Sequence, residues 1–361
     1  MELIYQTEIR AMNLLWLGEE ELIICSDSIF NFFHVHSLKS QPAIKQLSDL
    51  NGLCYLGKML LLEEQPNEKR LLLLIDPFDN YGFSYFHLDE SLVKPYNPDN
   101  PFEEPVRQTL FDSSVQELFA TESQQDIQVS PDGHLVAIRG DRSVCIFETV
   151  SGKLLRKIDD TTLQANTDKI ELHLERFYRY ADIFWLNERL LTLVKADTSF
   201  FFQFQLLVID VETGSGIGEL PMLSPPEYFS TLLVNQKKIF TSMANGLVII
   251  DREDWGSYEI IKHPHTLIQD MFFSYDGQSL ITIGQEHYFN CYEKATEIQG
   301  PNDLELIWID PNNKQIQKRE ILPINYSEVY PNPFGPTLAF IDSSSKNLSI
   351  WKYEISKSPK I

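Results

Sequence analysis

Leu247-Val248-Ile249-Ile250-Asp251 is an apolar run that ends on an acid. Arg252 to Ser257 read as a polar turn, and Tyr258-Glu259-Ile260-Ile261 as an apolar return. The same order recurs along the chain. Leu206 to Ile209 ends at Asp210 and turns through Val211-Glu212-Thr213-Gly214 toward Leu220. Leu306 to Ile309 ends at Asp310, Leu71 to Ile75 at Asp76, and Val144 to Phe147 at Glu148. Phe30 to Val35 runs into His36, and Leu348 to Trp351 runs into Lys352 without a full return strand.

These seven hinge residues are separated by 40, 72, 62, 41, 59 and 42 positions. Three intervals match the ~40–45 residues of one four-stranded propeller blade, and the other three are one blade plus an insertion. A sheet of that size cannot bury both of its faces alone, whereas radial stacking covers each sheet with its neighbour. Unbroken runs of Val, Ile, Leu and Phe, rather than strict alternation, suit strands covered on both faces. The expectation is an all-β fold: one domain over residues 1–361, a seven-bladed β-propeller of four-stranded antiparallel blades. The seventh unit lacks an outer strand, while Met1 to Gln6 is a spare strand-like segment. Residues 1–6 are therefore expected to pair beside Leu348 to Tyr353 and close the ring.

The third unit is the clearest. Ile127-Gln128-Val129-Ser130 reads as an inner strand, Pro131-Asp132-Gly133 as a tight turn, and His134 to Arg139 and Ser143 to Glu148 as the next two strands. Pro fixes φ in such a turn and Gly accepts a positive φ. Phe272 to Gly277 repeats the pattern in the sixth unit. Ser-Pro-Asp-Gly, two further strands, and a Ser-Gly or Thr-Gly turn before a fourth strand resemble the WD40-like and YVTN-like seven-bladed propellers. The resemblance spans the chain and is carried mainly by units three to six. It implies the propeller fold and a scaffold for protein–protein interaction. The chain departs from strict WD40 repeats in lacking a recurrent Gly-His at blade starts and a Trp-Asp hinge; its hinges read Ile-Asp, Phe-Glu and Trp-Lys.

Three insertions break the period, at 89–112, 159–178 and 288–303. The first carries Pro95, Pro98, Pro101 and Pro105 among acids and reads as a loop. The strand assignments place all three on one rim, the usual position of a binding face in a repeat protein. The candidate binding surface is Tyr96, Phe102, Glu103, Glu104, Phe111, Tyr178, Tyr288 and Tyr292, because exposed aromatics among acids make anchors for a protein partner. The alternative is a propeller enzyme of the lactonase or hydrolase type, with its site at the central channel. Such a site needs converging ionisable side chains on the inner strands, and Arg10, Asp126, Asp182 and Asp270 are the candidates.

The chain carries a net charge of −22. That opposes binding to nucleic acid, which depends on Lys and Arg neutralising phosphates, and to an anionic membrane surface. Its plain reading is solubility, and its sharper reading is a partner with a basic face. Met1 to Arg10 reads as a strand rather than a leader, and no apolar run reaches the ~18–20 residues of a membrane span. A cytoplasmic monomer is expected. Cys25, Cys54, Cys145 and Cys291 show no metal or redox spacing and read as reduced structural thiols. His34 with His36, and His263 with His265, read as hinge and loop histidines without the further ligands a zinc site needs. Thr213 to Gly218 reads as a turn, since its glycines precede a strand rather than open a helix. No cofactor and no metal are expected.

Overall fold

The computed structural model describes residues 1–16, 18–26, 33–37, 45–47, 59–63, 70–76, 82–88, 108–109, 126–149, 152–165, 178–197, 204–220, 232–235, 237–243, 246–265, 267–285, 304–322 and 326–354. In chain order, β1 (Glu2–Trp16), β2 (Glu21–Ser26), β3 (Phe33–Ser37) and β4 (Lys45–Leu47) come first. They are followed by β5 (Met59–Glu63), β6 (Arg70–Asp76), β7 (Gly82–Leu88) and β8 (Gln108–Thr109). Next come β9 (Asp126–Val129), β10 (Leu135–Arg139), β11 (Ser143–Glu148) and β12 (Leu154–Asp159), then the helix α1 (Asp160–Ala165). The chain continues through β13 (Tyr178–Trp185), β14 (Leu190–Asp197), β15 (Phe204–Asp210) and β16 (Ser215–Leu220). The next set is β17 (Leu232–Val234), β18 (Lys238–Met243), β19 (Gly246–Asp251) and β20 (Tyr258–Lys262). Last are β21 (Leu267–Phe273), β22 (Leu280–Gln285), β23 (Glu305–Ile309), β24 (Ile316–Ile321), β25 (Tyr326–Pro331), β26 (Thr337–Asp342) and β27 (Asn347–Lys352).

These strands form five four-stranded antiparallel sheets, β5–β8, β9–β12, β13–β16, β17–β20 and β21–β24, and one seven-stranded sheet ordered β25-β26-β27-β1-β2-β3-β4. In the larger sheet β1 serves twice. Its first half pairs with β27, Glu2 opposite Lys352 and Thr7 opposite Leu348, and its second half pairs with β2, Leu14 opposite Ile24. Counting the two halves separately gives seven sets of four strands. The expected pairing of residues 1–6 beside Leu348 to Tyr353 is present, with one difference. The segment and the first inner strand are one continuous strand, not two. Register shifts at Leu3/Tyr5, Thr7/Arg10 and Ala11/Asn13 supply the local twist that lets one strand serve both partners.

The chain divides into two compact units: Met1–Thr109 with Phe272–Ile283 and Asp303–Ile361, and Leu110–Met271 with Gly284–Asn302. In the second unit, one core cluster joins Val144, Ile146 and Ile158 to Ile183, Leu191, Leu193 and Leu207. Another joins Val194, Leu206 and Val208 to Ile239, Val248 and Ile250. Each cluster lies between neighbouring sheets, so the middle sheet is covered on both faces. In the first unit the same stacking joins Ile281, Ile283, Leu306 and Trp308 to Leu338 and Phe340, and joins Ala339, Ile341, Leu348 and Ile350 to Leu14, Leu22 and Ile24. Two-sided cover explains the unbroken apolar runs: β19 and β11 are buried at every position but the last. The outer strands β20 and β24 are exposed or half-exposed throughout.

The turns follow the sequence pattern in detail. Asp132 Oδ1 accepts the Ser130 hydroxyl at 2.6 Å and the His134 N–H at 3.1 Å, and Ser130 Oγ accepts the Leu135 N–H at 2.9 Å. Ser274 and Asp276 form the same lattice, at 2.6 Å to each other, 3.1 Å to Gln278 N and 2.9 Å to Ser279 N. Gly133 and Gly277 sit at φ 75° and 67°. Of the segment Thr213 to Gly218 only Thr213 and Gly214 lie in the turn, with Gly214 at φ 74°; Ser215 to Gly218 already belong to β16, so the turn is shorter than the sequence pattern suggests.

Candidate functional site: an anchored helix on the insertion-bearing rim

In the second unit the β10–β11 turn, the end of β12, the start of β13 and the end of β14 meet at one rim. The insertion at 159–178 leaves from it. Its described part includes α1, which belongs to no sheet. Asp159 caps the helix, its Oδ1 accepting the Thr162 N–H at 2.8 Å and the Thr162 hydroxyl at 2.9 Å. Leu163 is fully buried in the core between the two sheets.

Asp160 ties the helix to β13 and β14. Its Oδ1 accepts Lys195 Nζ at 2.7 Å and the Tyr180 hydroxyl at 3.0 Å. The Lys195 side chain is wholly buried, while that of Asp160 is 37% exposed. The Lys195 ammonium also lies 5.8 Å from the centre of the Tyr180 ring, within cation–π range. Arg139, buried on β10, donates from Nη1 to the Tyr180 carbonyl, and Tyr180 N–H donates to Asp141 O at 2.9 Å. A buried ammonium needs an anion and further hydrogen bonds to be tolerated. Here that need is met by a residue from the insertion, so folding of the sheet and placement of the helix are coupled. What the arrangement offers chemically is a fixed platform: polar on the solvent side at Asp160 and Thr161, apolar beneath.

Of the sequence candidates, Tyr178 opens β13 at this rim, opposite Asp197. Tyr96, Phe102, Glu103, Glu104, Phe111, Tyr288 and Tyr292 lie outside the described residues, as does Ile170 to Leu174. Asp126 opens β9 opposite Arg139, placing it at the same rim. Asp182 follows the β13 register shift, and its carboxylate accepts the Ile183 N–H at 2.8 Å, a local bond within the strand. Asp270 lies on β21 and Arg10 on β1, opposite Asn347. Lys195 and Asp160 escaped the sequence reading. The available signal was a lysine ending Leu190-Leu191-Thr192-Leu193-Val194, a strand otherwise typical of the interior.

No family model and no curated protein sequence matches the chain. Solved structures do. The WD40 β-propeller domain of Doa1 superposes with a TM-score of 0.58 at 10% identity, covering 98% of each chain. The β-propeller domain of Cps50 (Swd1) from Myceliophteria thermophila gives 0.55 at 11% identity, covering 95% of this chain and all of that one. A chain of the Mitotic Checkpoint Complex gives 0.51 at 13% identity, covering 82% of this chain and 78% of its own length. The fold is a β-propeller, similar to that of these domains. At these identities the likeness concerns the fold alone.

Within the propeller, His263 and His265 are both buried, with ring centroids 4.8 Å apart, and His263 Nδ1 accepts the His265 N–H at 3.0 Å. The pair thus shapes the β20–β21 connection. Cys145 is buried on β11 and forms no disulfide. Among the described residues no group of three or more His, Cys, Asp and Glu could hold a metal ion, and no helix is long and apolar enough to cross a membrane.

Proposed function

We propose that this propeller is a non-catalytic protein-interaction scaffold whose partner binds the rim carrying the insertions at 89–112, 159–178 and 288–303. The observation that carries the reading is the Lys195–Asp160–Tyr180 anchor. A buried cation is committed to holding a non-blade element on that rim, an arrangement suited to presenting a contact surface at low entropic cost. The propeller likeness supports the same reading, since one of the similar chains belongs to a protein assembly, the Mitotic Checkpoint Complex. The net charge of −22 favours a basic partner, steered in by the long-range field. The contact residues under this reading are Tyr96, Phe102, Glu103, Glu104, Phe111, Tyr178, Tyr288 and Tyr292, and the protein acts as a cytoplasmic monomer.

The test is affinity capture from native lysate with the full chain and with two variants, one carrying Tyr96→Ser, Phe102→Ser, Tyr288→Ser and Tyr292→Ser together, the other Glu103→Gln and Glu104→Gln. The expected result is a stoichiometric basic protein lost with the aromatic variant and released early by salt with the second. Equal recovery on all three baits, at matched melting temperature, contradicts the assignment of the rim.

A further inference from the structure

Among the described residues, the exposed large apolar side chains lie on outer strands with two exceptions. Tyr275, 42% exposed, and Phe334, 37% exposed, stand in turns. The β9–β10 turn reads Ser130-Pro131-Asp132-Gly133, the β21–β22 turn Ser274-Tyr275-Asp276-Gly277, and the β25–β26 turn Asn332-Pro333-Phe334-Gly335. Tyr275 occupies the place of Pro131, and Phe334 the place of the turn-forming acids Asp132 and Asp276. The turns are built by other groups: Ser274 with Asp276 in one, and in the other Asn332, whose Oδ1 accepts the Phe334 N–H at 2.9 Å. Local geometry asks only for a proline or a short polar side chain at these places, so it does not account for the rings.

The two turns are bound to each other within the first compact unit. Tyr353, just past β27, is buried in the core cluster with Phe272 and Phe340. Its N–H donates to Pro336 O at 3.0 Å, and its hydroxyl oxygen accepts the Tyr275 N–H at 3.2 Å. The β1–β2 turn joins them. Asn332 Nδ2 donates to Glu19 O at 3.0 Å, and Gly335 lies so close that a Cβ there would meet Glu19 Cγ at 2.7 Å. Three turns are therefore tied into one surface, which limits the ordering cost of binding there. The charged residues of these turns and of the strand end at Tyr353 are Glu19, Glu20, Asp276 and Glu354 against Lys352. Glu19, Asp276 and Glu354 are exposed. The surface thus combines two exposed rings with an excess of negative charge.

We propose that Tyr275 and Phe334 form a second docking site, which takes an arginine-bearing segment of a partner protein. The guanidinium groups stack on the two rings and are held by the surrounding carboxylates. Arginine suits the site better than lysine, because its planar cation covers an aromatic face while its N–H groups reach the acids. A second copy of this chain is disfavoured by the net charge of −22 on each and by the acids at the site itself. The β21–β22 turn lies at the opposite end of β22 from the insertion at 288–303. The site is therefore separate from the proposed contact rim and stands or falls without it.

The probe is a fluorescein-labelled peptide, Ala-Arg-Gly-Arg-Ala-Arg-Gly, titrated by anisotropy against the full chain, with a second peptide carrying Lys in place of Arg. Binding of the Arg peptide is expected, weakened about tenfold or more by Tyr275→Ser and Phe334→Ser together. Both rings are substantially exposed, so the double variant should keep its melting temperature; the Lys peptide, expected to bind more weakly, tests the stacking with the protein unaltered. The chain with Tyr96, Phe102, Tyr288 and Tyr292 changed to Ser should bind the Arg peptide as the wild type does. Equal binding by the double variant, equal binding of the Lys peptide, or no binding at all overturns the proposal. A peptide that binds only the chain shortened to residue 354 also overturns it, by assigning the surface to the basic tail that carries Lys357 and Lys360. So does a sedimenting dimer of the wild type that the double variant abolishes.

Discussion

Three of the acids that end apolar runs, Asp210, Asp251 and Asp310, are turn-forming residues. Asp210 Oδ1 accepts the N–H groups of Glu212 and Thr213 at 3.0 and 3.4 Å, and Asp310 those of Asn312 and Asn313 at 2.8 and 3.3 Å. Asp251 repeats the geometry with Glu253 and Asp254. In these turns the carboxylate replaces a backbone acceptor just as the ladder ends. Asp342 does the same between β26 and β27. Bonds from the Ser345 N–H and the Ser344 hydroxyl hold its carboxyl well below the ordinary range, at about 2. A folded-state value lowered from 3.8 contributes stability that is fully present above pH ~4 and is lost as pH falls toward 2. Asp342→Asn should therefore flatten the acid limb of a urea-midpoint-versus-pH curve between pH 4 and 2; an unaltered limb would count against it. Four residues after the hinge, the chain turns back with positive φ: Gly152 at 64°, Gly214 at 74°, but Lys314 at 65° and Lys346 at 60°. A non-glycine residue there carries a steric penalty, so Lys314→Gly should stabilise the protein by about 0.5–1 kcal/mol in urea unfolding. The hinge acids were legible in the sequence because the turn uses one residue type at one place. The lysines at positive φ were not, since their neighbours outvote local preference.

At the scale of elements, strands repeated at a fixed spacing were readable and single elements were not. β19, β15, β23 and β11 fall where their apolar runs place them, because burial on both faces leaves a continuous signal. The helix α1 is six residues long, too short to carry periodicity, and is held by distant partners rather than by its own sequence. β1 is one strand across a span that reads as two, since its bulges interrupt the alternation. The dependence of α1 on Lys195 gives a direct test. Lys195→Ala leaves a cavity and strips Asp160 of its cation, and should cost about 2–4 kcal/mol. Lys195→Met keeps the volume and should cost less. Proteolysis should then cut within 159–178 faster in both variants. An intact insertion in Lys195→Ala would show that Leu163 and the Tyr180–Asp160 bond hold the helix without the lysine.

For the molecule as a whole, we propose that residues 1–361 act as one domain in which β1 ties the last set of strands to the first. The tie reaches beyond backbone pairing. Met1 and Tyr5 pack against the cores on either side, and the terminal ammonium lies 2.9 Å from Glu320 Oε2 on β24. The pairing of β1 with β27 was legible from the sequence, since the hinges leave one strand missing at one end and one spare at the other. The placement of the insertions was less so, because insertions carry no period. The most direct measurement is the melting temperature of the chain lacking residues 1–7, followed by circular dichroism and urea unfolding. Loss of the β27 partner should lower it by more than about 5 °C and broaden the transition. A melting temperature and cooperativity equal to those of the full chain would contradict the account.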